Sequence, residues 1–194
     1  MRLLLERLQK MKVADGVYTL PDLLSADECE EYIAMSERAG YGAAPISAFG
    51  GEVMRPDVRN NARVMLDDEK IAASLWERIK SEVPMFLNGR QAIGLNERLR
   101  FYRYDPGQQF ATHMDGSFVR QNGERSLLTF MVYLNDVFEG GETVFIETTV
   151  RPQKGMGLIF QHALVHEGAS VISGRKYVLR SDVMYGVVGR ITGD

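Results

Sequence analysis

The stretch GLIFQHALVHEGASVISGRKYVLRSDVMY, residues 157–185, gives the strongest fold signal in this 194-residue chain. It overlaps two runs rich in β-branched and aromatic residues, MGLIF and KYVLRSDVMYGVV, with the turn-forming ISG between them. Runs of this length, bounded by glycine turns, predict β-strands. The pattern recurs upstream in LRFYRY, SLLTFMVYLN and TVFIET, separated by DPGQ, QNGE, EGGE and RPQKG. Several short strands at close spacing predict an all-β sandwich or barrel.

Two helices are predicted before these strands. In SADECEEYIAMSERAGYG, Ser25 can cap the helix, Glu28 completes a capping box, and Gly40 or Gly42 can end it. The run DDEKIAASLWERIKSEV has apolar residues on one helical stripe and is stopped by Pro84. The predicted fold is therefore mainly β with flanking helices, a jelly-roll-like β core behind a helical layer. We expect one domain over residues 1–194, with the helical layer at about 1–90 and the core at about 95–188.

Composition narrows the function classes. Hydrophobic residues make up 45% of the chain, the net charge is −3 and the pI is about 5.7, so no nucleic-acid partner is expected. Cys29 is the only cysteine, which excludes an internal disulfide and favours a reducing, cytoplasmic location. The N-terminal MRLLLERLQKMK is too short in its apolar run for a signal peptide or a membrane span.

The segment FATHMD, residues 110–115, raises the question of metal binding. In a strand, His113 and Asp115 would share a face. A third ligand would come from His162 or His166, the other two histidines of the chain. An H-x-D tripeptide alone also occurs as a surface pair or a hydrogen-bonded pair. Two histidines and one carboxylate with open metal positions are typical of non-haem Fe(II) oxygenases.

The motifs YDPGQQFATHMD, YLNDVFEGGETVF and HEGASVISGRK, in this order and spacing, resemble the Fe(II)- and 2-oxoglutarate-dependent dioxygenases, specifically the prolyl 4-hydroxylase-like branch. The resemblance covers roughly residues 18 to 185 and implies a double-stranded β-helix, or cupin-like jelly roll. It matches His113, Asp115 and His166 to the iron triad of that family, with His162 as the rival for the third position. It implies Fe(II), 2-oxoglutarate (2OG) and O2 as cofactor and co-substrates.

The resemblance also implies residues for 2OG. Lys176 matches the cation that pairs with the 2OG 5-carboxylate, and Arg180, four residues later on the same strand face, is its competitor. Tyr104 stands where the family has a tyrosine donor, although it is also explained as a core aromatic. Thr143 matches a position that lines the co-substrate pocket.

The sequence also contains candidate substrate-binding residues. Arg55, Arg59 and Arg63 fall in or beside the irregular segment 43–63, which fits either a solvated basic loop or a lid over the iron. Asp182 departs from the family pattern, because many prolyl hydroxylases carry a tryptophan there near the substrate. Peptidyl proline as substrate is thereby put in doubt.

The resemblance implies hydroxylation of an unactivated C–H bond in an unidentified substrate, either a protein side chain such as proline or a small molecule. One alternative is a non-catalytic jelly roll that binds a ligand. A nucleobase-demethylating oxygenase is a weaker alternative, because the chain is acidic overall and has no clear basic stripe.

Overall fold

The structure is a computed structural model that describes residues 10–48 and 51–187. The N-terminal residues 1–9, on which the expectation about a leader segment mainly rests, lie outside the described residues, as does the end of the expected core at 188. The described elements are helices α1 (Ala26–Ala39) and α2 (Glu69–Ile79) and strands β1 (Met11–Ala14), β2 (Val17–Leu20), β3 (Gly42–Ala43), β4 (Ile46–Ala48), β5 (Gly51–Val53), β6 (Ala62–Asp67), β7 (Phe86–Leu87), β8 (Arg90–Leu95), β9 (Arg98–Tyr104), β10 (Phe110–His113), β11 (Arg125–Tyr133), β12 (Phe138–Gly140), β13 (Thr143–Phe145), β14 (Thr149–Val150), β15 (Gly157–Gln161), β16 (His166–Gly168), β17 (Val171–Gly174) and β18 (Lys176–Val187).

Antiparallel pairing organises the strands into a large and a small sheet. The large sheet has the order β1-β2-β15-β11-β18-β9-β6-β3, and β8 with β7 also joins it along β18. The small sheet has the order β10-β16-β13-β14. Two further pairs, β12–β17 and β4–β5, complete the described strands. The mainly β, jelly-roll fold expected from the sequence is confirmed.

The long strand β18 separates the two halves of the core. Its odd-numbered Tyr177 and Leu179 lie in the cluster packed under the helices, whereas Val178 lies in the cluster that faces the small sheet. Side chains alternate along a strand, so Lys176 and Arg180 share the face of Val178. This alternation places charged residues of β18 between the two sheets.

The capping prediction for α1 is confirmed. The Ser25 side chain accepts from the backbone of Glu28, the Glu28 carboxylate accepts from the Ser25 amide, and Gly40 closes the helix at φ +85°. The second helix is shorter than its predicted run and begins after Asp68, whose carboxylate accepts from the Ile71 amide. None of the described helices has the length and apolar character that a membrane crossing requires.

The N-terminal layer is less helical than expected. Strands β1, β2, β3 and β6 all lie within the first 90 residues and belong to the large sheet. The turn between β1 and β2 is Asp15–Gly16, with Gly16 at φ +73°. An Asp-Gly pair between apolar runs is a strong hairpin signal. The irregular segment 43–63 is also partly ordered, since β4 pairs with β5 inside it.

Candidate metal centre and co-substrate cavity

Cross-strand pairing brings the two histidines together. His113 ends β10, His166 begins β16, and the two are direct antiparallel partners. Their ring centroids lie 4.3 Å apart. The register therefore places two imidazoles, 53 positions apart in the sequence, on one face of the small sheet.

Asp115 also lies beside the two histidines, but for a different reason from the one expected. The strand ends at His113, so the argument that both residues share a strand face is wrong. The Asp115 amide donates to the His162 carbonyl at 3.0 Å, and its Oδ2 accepts from Thr129 Oγ1 at 2.5 Å. These tertiary contacts orient the carboxylate. Its oxygens lie 3.7 Å from His113 Nε2 and 3.8 Å from His166 Nε2.

The donor set fits a divalent metal ion. Each of the three residues offers one ligand atom, and these atoms all lie within 4.8 Å of one another. His113 Nδ1 lies 2.8 Å from the Ala111 carbonyl, and His166 Nδ1 lies 2.9 Å from the Leu164 carbonyl. A protonated Nδ1 donating to a carbonyl leaves the Nε2 lone pair for a metal. Burial, with His166 alongside, lowers the pKa of His113 to about 4, and burial also lowers the pKa of His166, so both imidazoles are neutral at pH 7.

The cavity beside the triad is lined by all four residues that the sequence assigned to 2OG: Lys176, Tyr104, Thr143 and Arg180. Lys176 and Tyr104 are direct cross-strand partners on β18 and β9. The Lys176 ammonium donates to the Gly141 carbonyl at 2.5 Å and is 2% exposed. Among the described residues, no carboxylate lies within ion-pair distance of it. Burial therefore lowers the pKa of Lys176 to about 7, with the more distant Glu142 opposing the shift.

Comparison with known proteins agrees with this arrangement. The family model of the 2OG-Fe(II) oxygenase superfamily matches residues 99–181, which contain the triad and Lys176. The solved 2OG complex of the viral collagen prolyl hydroxylase from Paramecium bursaria Chlorella virus-1 superposes with a TM-score of 0.62, at 26% identity over 89% of this chain and 99% of that chain. The residues that form the site thus match the 2OG-Fe(II) oxygenase superfamily. As the resemblance implied, Fe(II), 2OG and O2 are the cofactor and co-substrates of this superfamily.

Curated proteins similar to this chain include prolyl 4-hydroxylases of Arabidopsis thaliana. Prolyl 4-hydroxylase 1 is 24% identical over 188 residues, which is 83% of this chain and 66% of that protein. Probable prolyl 4-hydroxylase 11 is 41% identical over 145 residues, which is 69% of this chain and 48% of that protein. The chain thus spans no more than 66% of the length of either relative. The similarity is to the prolyl 4-hydroxylase-like branch, as the motifs predicted.

Arg180 lies at the triad carboxylate. Arg180 Nη2 lies 2.9 Å from Asp115 Oδ1 and 3.3 Å from Asp182 Oδ1. Burial would raise the pKa of Asp115, but Arg180, the two histidines and the Thr129 hydroxyl together outweigh burial and hold that pKa below its usual range. Arg180 therefore contacts two aspartates, whereas Lys176 has no carboxylate partner among the described residues.

His162 is neither a surface residue nor a member of the triad. It is 6% exposed, and its Nε2 lies 3.7 Å from Asp182 Oδ1. Its own contribution to the site is the backbone carbonyl that accepts from Asp115. Asp182 is bound by Arg100, with Arg100 Nη1 at 2.9 Å from its Oδ2.

The three loop arginines have different surroundings. Arg55 is exposed and paired with Asp57, and it does not line the cavities beside the triad. Arg63 and Arg59 both line an outer cavity next to the triad, but Arg59 is only 4% exposed. The solvated-loop interpretation is therefore wrong for Arg59.

Sequence reasoning missed two residues that position the triad. Thr129 is fully buried and donates to Asp115, and Phe110 stacks on the His113 ring with centroids 3.6 Å apart. Thr129 was visible as the one aliphatic hydroxyl inside the apolar run LLTFMVYL. A buried hydroxyl needs a hydrogen-bond partner, which was the available signal. No comparable signal marked Phe110.

Proposed function

We propose that this chain is an Fe(II)- and 2OG-dependent dioxygenase that hydroxylates an unactivated C–H bond. One observation carries the proposal: the ligand atoms of His113, Asp115 and His166 converge beside a cavity that holds the buried ammonium of Lys176. The substrate would be a protein side chain such as proline, the residue named in its relatives, or a small molecule. A reducing, cytoplasmic setting suits the single buried thiol of Cys29.

The three triad residues would hold the metal. Bound Fe(II), with 2OG and O2, supplies the oxidising power that inserts one oxygen atom into the C–H bond and releases succinate and carbon dioxide. The chain contributes two neutral nitrogens and one carboxylate, which leave three positions of an octahedral ion for other ligands. Thr129 and Arg180 keep Asp115 oriented and ionised, since both contact its oxygens.

The cavity beyond the triad suits a dicarboxylate. We assign the distal carboxylate of 2OG to Lys176, because its ammonium is buried and has no carboxylate partner among the described residues. Tyr104 and Thr143 line the same cavity and can donate from their hydroxyls. Phe160, Val178 and Met131 form apolar parts of the wall, which keep bulk water away from the reacting groups.

The test is Fe(II)-dependent conversion of 2OG to succinate, measured with and without added substrate candidates. His113→Ala and His166→Ala should each lower 2OG turnover by at least ~100-fold, because a lost ligand removes the metal. His162→Ala is the matched control, since this buried histidine lies outside the triad and its backbone carbonyl is retained. It should keep a tight metal site.

The result also separates catalysis from simple ligand binding. A binding protein would show no tight Fe(II) site that depends on 2OG, and no succinate under any condition. Equal turnover in wild type and His166→Ala, with loss in His162→Ala, would move the third ligand to His162 and overturn the assignment.

A further inference from the structure

The outer cavity beside the triad is strongly basic. It has a volume of about 530 Å³, within the range of small-molecule sites. His113, Asp115 and Arg180 line both this cavity and the one that holds Lys176, so the triad lies between the two. The charged groups that line the outer cavity are Arg59, Arg63, Arg100, Arg180, Asp115 and Asp182.

Three of these four arginines already have a carboxylate partner. The pairs, each at 2.9 Å, are Arg63 with Glu52, Arg100 with Asp182, and Arg180 with Asp115. The two aspartates of the cavity are thereby neutralised by two arginines. What is left is the charge of Arg59 and of Arg63, whose partner Glu52 is an exposed residue.

Arg59 is a buried guanidinium without a counter-ion. Its Nε donates to Asn61 Oδ1 at 2.7 Å, while its Nη2 is buried and has no hydrogen-bond partner among the described residues. The group lies 4.4 Å from the ring centroid of Tyr102 and 4.5 Å from that of Phe110. Stacking on two aromatic rings offsets part of the cost of burial but does not satisfy an N–H donor. A buried, partly unsatisfied charge of this kind calls for an anion.

The position of Arg59 relative to the triad is fixed by the backbone. The Ala111 amide donates to the Val58 carbonyl at 2.7 Å, and Arg59 forms an antiparallel bridge with Phe110. One face of the Phe110 ring stacks on His113, and the Arg59 guanidinium lies over the same ring. A group bound to Arg59 in the outer cavity would therefore share that cavity with His113 and Asp115.

The same arginines act on the pKa of Tyr102. Tyr102 lines both cavities and is buried. Burial would raise its pKa, but Arg180, Arg59 and Arg100 outweigh burial, so the pKa of Tyr102 lies below its usual value. Three guanidinium groups thus favour negative charge at the junction of the two cavities.

We propose that the substrate carries a carboxylate, and that Arg59 binds this carboxylate in the outer cavity while the substrate C–H bond faces the triad. The inference rests on the proposed function, because it names the chemistry of the molecule that this site would oxidise. The bound carboxylate is distinct from those of 2OG, since Arg59 does not line the cavity of Lys176. The carboxylate belongs either to a free small acid or to an acidic residue of a peptide.

The test measures binding separately from turnover. Wild type is loaded with Mn(II) and saturating 2OG, so that the inner sites are filled, and its thermal stabilisation is recorded with matched probes. Formate, acetate, N-acetylproline and N-acetylglutamate are each compared with the corresponding amide. A pair of short peptides that differ only in Glu against Gln forms the second arm. Stabilisation by free acids or by the Glu peptide distinguishes the two sources.

Arg59→Met removes the charge but keeps a stem that packs between Tyr102 and Phe110. We expect it to weaken carboxylate binding by roughly tenfold to a hundredfold, as for one lost charge-assisted hydrogen bond. It should leave 2OG affinity unchanged and should not lower the melting temperature of the ligand-free protein. Arg55→Met, in the same segment but exposed and outside the cavity, should behave as wild type.

Three results would overturn the proposal: carboxylate and amide stabilise wild type equally, no probe stabilises it, or Arg59→Met retains the preference. A lower melting temperature in Arg59→Met with unchanged carboxylate preference would assign Arg59 a structural role instead. If wild type binds neither Mn(II) nor 2OG, the dioxygenase proposal itself fails, whatever the carboxylate probes show.

Discussion

Replacing Lys176 with methionine should make the ligand-free protein more stable and unable to bind 2OG. The ammonium is 2% exposed, and among the described residues only the Gly141 carbonyl accepts from it, at 2.5 Å. Methionine is similar in length, packs in an apolar surrounding and carries no charge. A residue that costs stability without its ligand is expected where the fold is built for that ligand.

The magnitude follows from the pKa of Lys176. Burial lowers it from the ordinary value of 10.5 to about 7. At about 1.4 kcal/mol per pH unit, this gap corresponds to roughly 4–5 kcal/mol of destabilisation when the amine is charged. The variant also leaves the Gly141 carbonyl without a donor, which costs about 1–3 kcal/mol and offsets part of the gain. The net gain of the variant is thus roughly 1–4 kcal/mol at low pH, or several degrees in Tm for a protein of this size.

The pH dependence has a definite sign. Between pH 7 and 10.5, the unfolded chain binds a proton at Lys176 that the folded chain does not, so the free energy of unfolding of wild type rises with pH there. The penalty is fully present below about pH 7. The advantage of Lys176→Met is therefore largest near pH 6 and shrinks steadily up to about pH 10.

The assay combines chemical unfolding at pH 6, 8 and 9.5 with calorimetric titration of 2OG into the Mn(II)-loaded protein. Arg175→Met is the matched control, because Arg175 is the neighbouring residue, its side chain is 48% exposed, and it pairs with Asp105 at 2.6 Å. An exposed ion pair contributes about 0–1 kcal/mol, so this variant should stay near wild type and bind 2OG. A Lys176→Met variant that is less stable than wild type at pH 6, or that binds 2OG normally, would refute the reasoning.

Three further results are expected. Binding of 2OG at pH 8 should take up a proton at Lys176, because a bound carboxylate raises the pKa of this amine above its ligand-free value of about 7. The calorimetric heat of binding should therefore change with the ionisation enthalpy of the buffer. A heat that is the same in all buffers would contradict this prediction. Thr129→Val should weaken metal affinity by about 10–100-fold through loss of the 2.5 Å bond to Asp115, as measured by metal titration against the exposed-site control Thr112→Val. Gly155→Ala should lower the free energy of unfolding by a few kcal/mol, since Gly155 has φ +80° and a Cβ there would lie 2.2 Å from the Leu24 carbonyl oxygen. The control is Gly42→Ala, which adds a Cβ in open space. In denaturant titrations its free energy of unfolding should stay within about 0.5 kcal/mol of wild type.

The fold was predictable because its signals are local. Strand β18 shows the period of two directly, with Tyr177 and Leu179 in one cluster and Val178 in the other. Short apolar runs between glycine turns are sufficient to predict a sandwich. The hairpin β1–β2 was missed although its Asp15–Gly16 turn is as local a signal as any, because the layer was expected to be helical.

The triad residues were identified by spacing, but spacing could not supply the reason for their geometry. His113 is the last residue of its strand, and Asp115 owes its position to the His162 carbonyl and the Thr129 hydroxyl. Both partners come from other parts of the chain, 47 and 14 positions away. Where a strand ends depends on such tertiary hydrogen bonds, which no tripeptide pattern encodes.

The ion pairs of the site also depend on tertiary contacts that the sequence pattern does not encode, and they explain why Arg180 and Lys176 have different partners. Arg180 and Lys176 lie on one strand face and were indistinguishable in the sequence, yet Arg180 meets two aspartates and Lys176 meets none among the described residues. Asp182 accounts for the difference, since it sits two residues beyond Arg180 on the same face and holds the guanidinium at 3.3 Å. An aspartate at this position thus gives Arg180 a second carboxylate partner, and under the proposed function the ammonium of Lys176 would pair with the dicarboxylate co-substrate.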